Sequence, residues 1–217
     1  MSESRHKIGK TASKWPQRGY LTQGYRQFCV IPNSPIPIDT ELFKPKNRKR
    51  KKIVIGTAVS ENTTYLRNIN VFVSLAEKLK KKYDLEFLMV GKSDNFPHDI
   101  KSVARVPHNE MPKYYNKMDV FIGEGMAAKE AMACGCITIL IEPLEYLFRF
   151  HKKEIEEGLI LYGDHVKIIE RFLSNPDEFK SLSKRSVEFI KKTYPKEKTI
   201  SRIIDVYKEL IKKKRGS

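Results

Sequence analysis

"MDVFIGEGMAAKEAMACGCITILIE", residues 118–142, decides how this chain folds. An apolar run at 119–123 stops on a glycine, an alanine-rich helical pattern covers about 126 to 134, and a second apolar run fills 136–142. Neither run alternates polar with apolar residues at its centre, so both read as strands buried on two faces. Two such strands joined by a helix are the parallel unit of a sheet that carries helices on both sides.

The same alternation extends outward. "IVIGTAV" (53–59) and "LEFLMVG" (85–91) read as buried strands, "SVARV" (102–106) as a short one, and "GLILYG" (158–163) as the last. Between them, "INVFVSLAEKLKKKY" (69–83) places Val71, Phe72, Leu75, Ala76 and Leu79 on one helical face with lysines opposite. "MPKYYNKM" (111–118) is a brief helix. Helical patterns over 177–192 and 197–214 finish the chain, the first with Asn175 as N-cap and Pro176 at its first position. The expected fold is therefore α/β, a Rossmann-like parallel sheet with helices on both faces. Residues 1–27 read as an N-terminal arm. Residues 28–52 hold a strand ("FCVIP", 28–32) and a Pro-rich basic linker, and 53–217 form the Rossmann-like domain, C-terminal helices included.

At 217 residues the chain suits one sizeable core with a small appendage. Its net charge of +16 favours anionic partners: nucleotides, nucleic acid or acidic headgroups. "RKRKK" at 48–52 carries part of that excess, either as a solvated loop or as a contact patch. No apolar run approaches the roughly 18 residues of a membrane span, and the polar start lacks a signal peptide's apolar stretch. Cys29, Cys134 and Cys136 are an odd number without zinc spacing, which suits reduced thiols in a cytosolic setting. The five histidines are scattered, so no metal site is expected.

Parallel sheets of this kind bind ligands at the carboxyl ends of their strands, near the switch in strand order. In "GEGMAAKE" (123–130), glycines allow close backbone approach, and a helix starting near Met126 offers free N–H groups to a phosphate. Glu130, one turn in, could accept hydrogen bonds from the two hydroxyls of a ribose. The plainer reading makes Glu124 and Glu130 helix-start acids favoured by the dipole. Arg67 and Lys92, cations beside glycine-bearing strand ends, are candidate phosphate contacts or solvated surface charges. Val106 could rest against a base, while His108 reads as a capping or surface histidine.

Taken in order, "VIPNSPIPIDTELFKP", "IVIGTAV", "LRNINVFVSLAEKL", "LEFLMVG", "ARVPHNEMPKYYNKMDVFIGEG" and "KEAMACGCITILIEP" resemble the C-terminal, donor-binding half of a GT-B glycosyltransferase of the family-4 (group 1) type. The match runs from about residue 28 to the C-terminus, and "EAMACG" after "MDVFIG" is its most specific part. The resemblance implies that Glu130 holds the ribose hydroxyls. The turn Gly123, Gly125, Met126 and Ala127 would wrap the diphosphate and sugar, and Val106 would meet the base. Arg67 stands where the family's phosphate-binding lysine is expected, and Gly56, Thr57 and Lys92 complete the donor-binding set. Glu124 is the candidate catalytic carboxylate. Thr57 replaces an arginine that usually follows the glycine of the first strand. Only five residues separate Glu124 from Glu130, whereas the family's spacing would put the first glutamate at Ile122. An N-terminal acceptor domain of comparable size is expected in the family, and only about 27 residues precede the first strand here.

The resemblance thus implies a retaining hexosyltransferase using a UDP- or GDP-sugar, with no other cofactor and no metal. The acceptor, a glycan, lipid or protein, would be held by a partner chain, a second copy or the N-terminal arm. A homodimer or a separate acceptor-binding subunit follows from that. The expected setting is cytoplasmic, with peripheral membrane contact through the basic surface. Two rival readings remain: a non-catalytic basic module binding nucleic acid or acidic membrane, and a degenerate domain of structural use only.

Overall fold

A computed structural model of the chain describes residues 37–47, 52–59, 65–92, 96–97, 99–141 and 151–215, with the backbone alone at 65–67, 202, 210 and 213–215. The arm at 1–27, the strand at 28–32, Cys29 and most of the basic run at 48–52 lie outside the described residues. Residues 35–199 make one compact unit. Residues 200–217 belong to a second, of which 200–215 are described and helical.

Six strands form the sheet: β1 (Val54–Ala58), β2 (Glu86–Gly91), β3 (Lys101–Ala104), β4 (Val120–Ile122), β5 (Ile137–Ile139) and β6 (Ile160–Leu161). Their spatial order is β3-β2-β1-β4-β5-β6, and every neighbouring pair is parallel. The helices are α1 (Tyr65–Lys80), α2 (Met111–Tyr115), α3 (Gly125–Ala133), α4 (residues 151–156), α5 (His165–Ser174), α6 (Pro176–Thr193) and α7 (Lys196–Arg215). This is the Rossmann-like arrangement read from the sequence. The chain moves outward from β1 to β3 and then returns to place β4 against β1, so the switch in strand order falls between β1 and β4.

Each face of the sheet buries its own core. On one, Phe72, Leu75, Ala76 and Leu79 of α1 and Ile169 of α5 pack against Ile55, Phe87, Met89 and Val120. On the other, Tyr115, Met118, Ala131 and Met132 join Leu182 and Ile190 of α6 over Val54, Leu88 and Phe121. Central strands buried on both faces explain the uninterrupted apolar runs.

The differences from the sequence reading are local. α1 starts at Tyr65, four residues earlier than the apolar periodicity indicates, because no glycine or proline interrupts that stretch. β6 keeps only two residues of the expected 158–163. The helices α4 and α5 were not anticipated. α5 is capped by Asp164, whose Oδ1 accepts from the N–H of Val166 at 3.1 Å and of Lys167 at 3.2 Å. Asn175 does sit at the N-cap of α6, but its side chain makes no capping bond.

Candidate functional site

The switch in strand order lies between β1 and β4, and the turn after β4 carries Gly123 and Glu124 into α3, which begins at Gly125. Gly125 adopts φ +63°, and a Cβ at this position would meet nothing within 4 Å among the described residues, which leaves open space beside the first residue of the helix. A left-handed φ suits glycine. Glu124 takes an extended N-cap conformation yet does not cap the helix. Its Oε1 instead accepts from Asn68 Nδ2 at 3.2 Å, tying the first turns of α1 and α3 together across the switch point. Asn68 is buried, and the sequence reading had given it no role.

A second contact holds the same turn from behind. His151 of α4, 1% exposed, accepts the Gly125 N–H on Nε2 at 3.1 Å. An acceptor at Nε2 places the ring hydrogen on Nδ1, which is buried without a hydrogen-bond partner among the described residues. Burial lowers the His151 pKa to about 4, with Glu154 opposing the shift and Lys129 adding to it. The imidazole is therefore neutral at pH 7. Lys129 of α3 lies 3.4 Å from Glu154 Oε1 and over the Tyr194 ring at 4.2 Å from its centroid, and the Tyr194 hydroxyl donates to the same carboxylate oxygen. Burial lowers the Lys129 pKa, with Glu154 opposing, and burial together with Glu154 raises that of Tyr194. Sequence reading missed this cluster. The available signal was Lys129, the one cation in an alanine-rich helix.

Glu130 points elsewhere. It faces α2 and the turn His108–Glu110, with Oε1 2.6 Å from His108 Nε2 and Oε2 accepting from the Tyr115 hydroxyl at 3.1 Å. The two glutamates of "GEGMAAKE" therefore diverge, Glu124 toward α1 and Glu130 toward α2. His108, expected as a surface or capping residue, is exposed but paired with Glu130, and its ring lies 5.2 Å from that of Phe43. Burial, then the Glu130 carboxylate, pushes the Tyr115 hydroxyl well above its usual pKa.

The remaining predicted residues divide into two groups. Gly123, Met126 and Ala127 line the turn and first helical positions, the last two half-buried. Val106 is half-buried two residues before His108, and Lys92 is half-buried and bridged to Val103. Arg67 lies in the first turn of α1, its side chain outside the described residues. Gly56 and Thr57 lie within β1, which continues through them to Ala58. Gly56 makes room for Met118, whose side chain would stand 2.4 Å from a Cβ there. Thr57 is 1% exposed, its hydroxyl without a hydrogen-bond partner. Among the described residues no three His, Cys, Asp or Glu side chains converge as a metal site, and no helix is long and apolar enough to cross a membrane.

Comparison with solved structures places this architecture. The C-terminal domain of a glycosyl transferase group 1 family protein (LpcC) from Francisella tularensis superposes with a TM-score of 0.59 at 15% identity, over 73% of this chain and 99% of that one. TarM gives 0.55 at 12% identity, over 76% of this chain and 37% of TarM. A Listeria monocytogenes protein provisionally described as a UDP-N-acetylglucosamine 2-epimerase gives 0.54 at 11% identity, over 80% and 51%. At such identities the likeness is one of fold, and the chain spans 37% and 51% of the two longer proteins. No curated protein matches the sequence. A family model described as glycosyl transferase-like matches residues 67–205, more than half of the chain. On that match the protein belongs to the glycosyl transferase-like family, and its fold is that of a GT-B C-terminal domain.

Proposed function

We propose that this chain binds the nucleoside diphosphate sugar of a retaining glycosyltransferase at the switch point between β1 and β4. The observation that supports the reading most directly is the start of α3. Gly125 opens onto free space at a helix N-terminus, and Glu130 on the same helix presents a nearly buried, oriented carboxylate. The amides of Met126 and Ala127, with Arg67 and Lys92, would face the diphosphate. Charge developing on the leaving phosphate would then be stabilised by fixed dipoles and cations, the kind of electrostatic contribution that dominates many transfers. Glu130 would accept from the ribose hydroxyls, Val106 would rest against the base, and Glu124 at the N-cap of α3 would face the sugar. A UDP- or GDP-hexose is the donor class, and the acceptor site comes from a partner chain or a second copy.

The test is calorimetric titration of the purified chain with UDP, GDP and ADP, repeated on Glu130→Ala with circular dichroism confirming the fold. Micromolar binding of one diphosphate is expected, weakened about tenfold or more in the variant, as befits a lost hydrogen bond to a charged group. Binding that vanishes steeply with added salt and ignores Glu130→Ala would instead favour a basic module acting on polyanions. No binding of any of the three refutes the donor reading.

A further inference from the structure

Glu130 is held by two donors of different character. Tyr115, 1% exposed and in edge contact with Phe121, serves Oε2 from inside the core. His108 serves Oε1 from outside, its side chain 68% exposed and steadied by the Phe43 ring. A carboxylate only accepts, so His108 Nε2 carries the shared hydrogen. With one inner and one outer donor, the plane of the carboxylate is fixed. Each oxygen keeps acceptor capacity, because an ionised carboxylate offers about four lone-pair sites. Burying Glu130 to 6% exposure is costly unless both oxygens are served, and Tyr115 reaches only one.

Chain position adds a second observation. His108 opens the 3-10 turn His108–Glu110, directly after Val106 and Pro107. The segment assigned above to the base thus also supplies the outer donor to the residue assigned to the ribose. We infer that His108 is a positioning residue of the donor site. It fixes Glu130 to receive a vicinal diol, and so makes the site select ribonucleotides over deoxyribonucleotides. This rests on the donor-binding reading given above.

The test measures affinities of the full chain for UDP and 2′-deoxy-UDP, and for GDP and 2′-deoxy-GDP, in the wild type, His108→Ala and His108→Gln. The wild type should hold the ribonucleotide about tenfold more tightly than its deoxy counterpart, the value of a hydrogen bond to a charged group. His108→Ala should reduce that ratio to about twofold or less while leaving deoxynucleotide affinity within about twofold of wild type. His108→Gln, whose amide can donate to Oε1, should restore most of the ratio. A merely structural role would weaken both nucleotides alike and leave the ratio standing, and that result overturns the inference. So does a wild type without ribonucleotide preference, or an alanine variant that binds the ribonucleotide more tightly. A folded wild type that binds no ribonucleotide is a separate failure, because it removes the donor reading itself.

Discussion

Replacing His151 by glutamine should remove a defined part of the protein's acid sensitivity. His151 is neutral in the folded chain down to about pH 4, whereas an unfolded histidine titrates near 6.5. As pH falls below 6.5 the unfolded chain takes up a proton that the folded chain refuses, so the unfolded state gains and stability declines until about pH 4. Above 6.5 both states are neutral and the contribution is flat. The interval from 6.5 to about 4, at about 1.36 kcal/mol per pH unit, is worth about 3 kcal/mol. In a domain of this size that corresponds to roughly 6–12 °C in melting temperature. Glutamine keeps an acceptor for the Gly125 N–H and does not titrate. Its cost at pH 7 should therefore be small, about 1 kcal/mol. The assay is urea denaturation followed by far-UV circular dichroism at pH 7.0 and at pH 4.5. Wild type should lose about 2 kcal/mol more than His151→Gln between those conditions, since pH 4.5 lies inside the titrating interval. All other titrating groups are common to both proteins and cancel in the comparison. Parallel pH dependences would refute the assignment of His151 as a buried neutral acceptor.

Three further outcomes follow from the packing. Lys129→Met should destabilise the fold by about 3 kcal/mol, because it leaves the Glu154 carboxylate buried without its cation, and Lys129→Met with Glu154→Leu should recover most of that loss in thermal melts. Gly91→Ala should cost about 3 kcal/mol or more, since φ is +112° and the added Cβ would stand 1.9 Å from the Val59 carbonyl oxygen. Gly158→Ala, at φ +62° in open space, should cost only about 1 kcal/mol by the same measurement. Tyr115→Phe should lower ribonucleotide affinity several-fold in calorimetry while barely changing that of the 2′-deoxy analogue, because it removes the inner donor to Glu130.

Local pattern made most of the fold legible. Apolar runs at 53–59 and 85–91 could only be strands buried on both faces, and the periodicity of 69–83 gave α1 its buried side. The α5 helix went unread, although Asp164 followed by Ile168, Ile169 and Phe172 offers a cap and an apolar face, because the strand pattern of 158–163 runs directly into it. The exposed pattern of β3 and the two residues of β6 reflect edge positions, which apolar content marks only weakly.

The order of elements and the glycine turn that starts α3 can be read along the chain, because both arise from contacts between near neighbours. What each polar group of the site meets depends on packing between distant segments. Asn68 reaches Glu124 across 56 residues, His151 reaches Gly125 across 26, and His108 reaches Glu130 across 22. Glycines at 56 and 123 look alike in the sequence. Yet Gly56 lies inside β1 under Met118, while Gly123 directly follows β4 and enters the turn that starts α3, because the pairing of β1 with β2 and β4 sets where each strand ends. The roles of Glu124 and Glu130 separate for the same reason. Glu124, at the N-cap of α3, meets Asn68 of α1, whereas Glu130, more than a turn further along the helix, meets Tyr115 of α2.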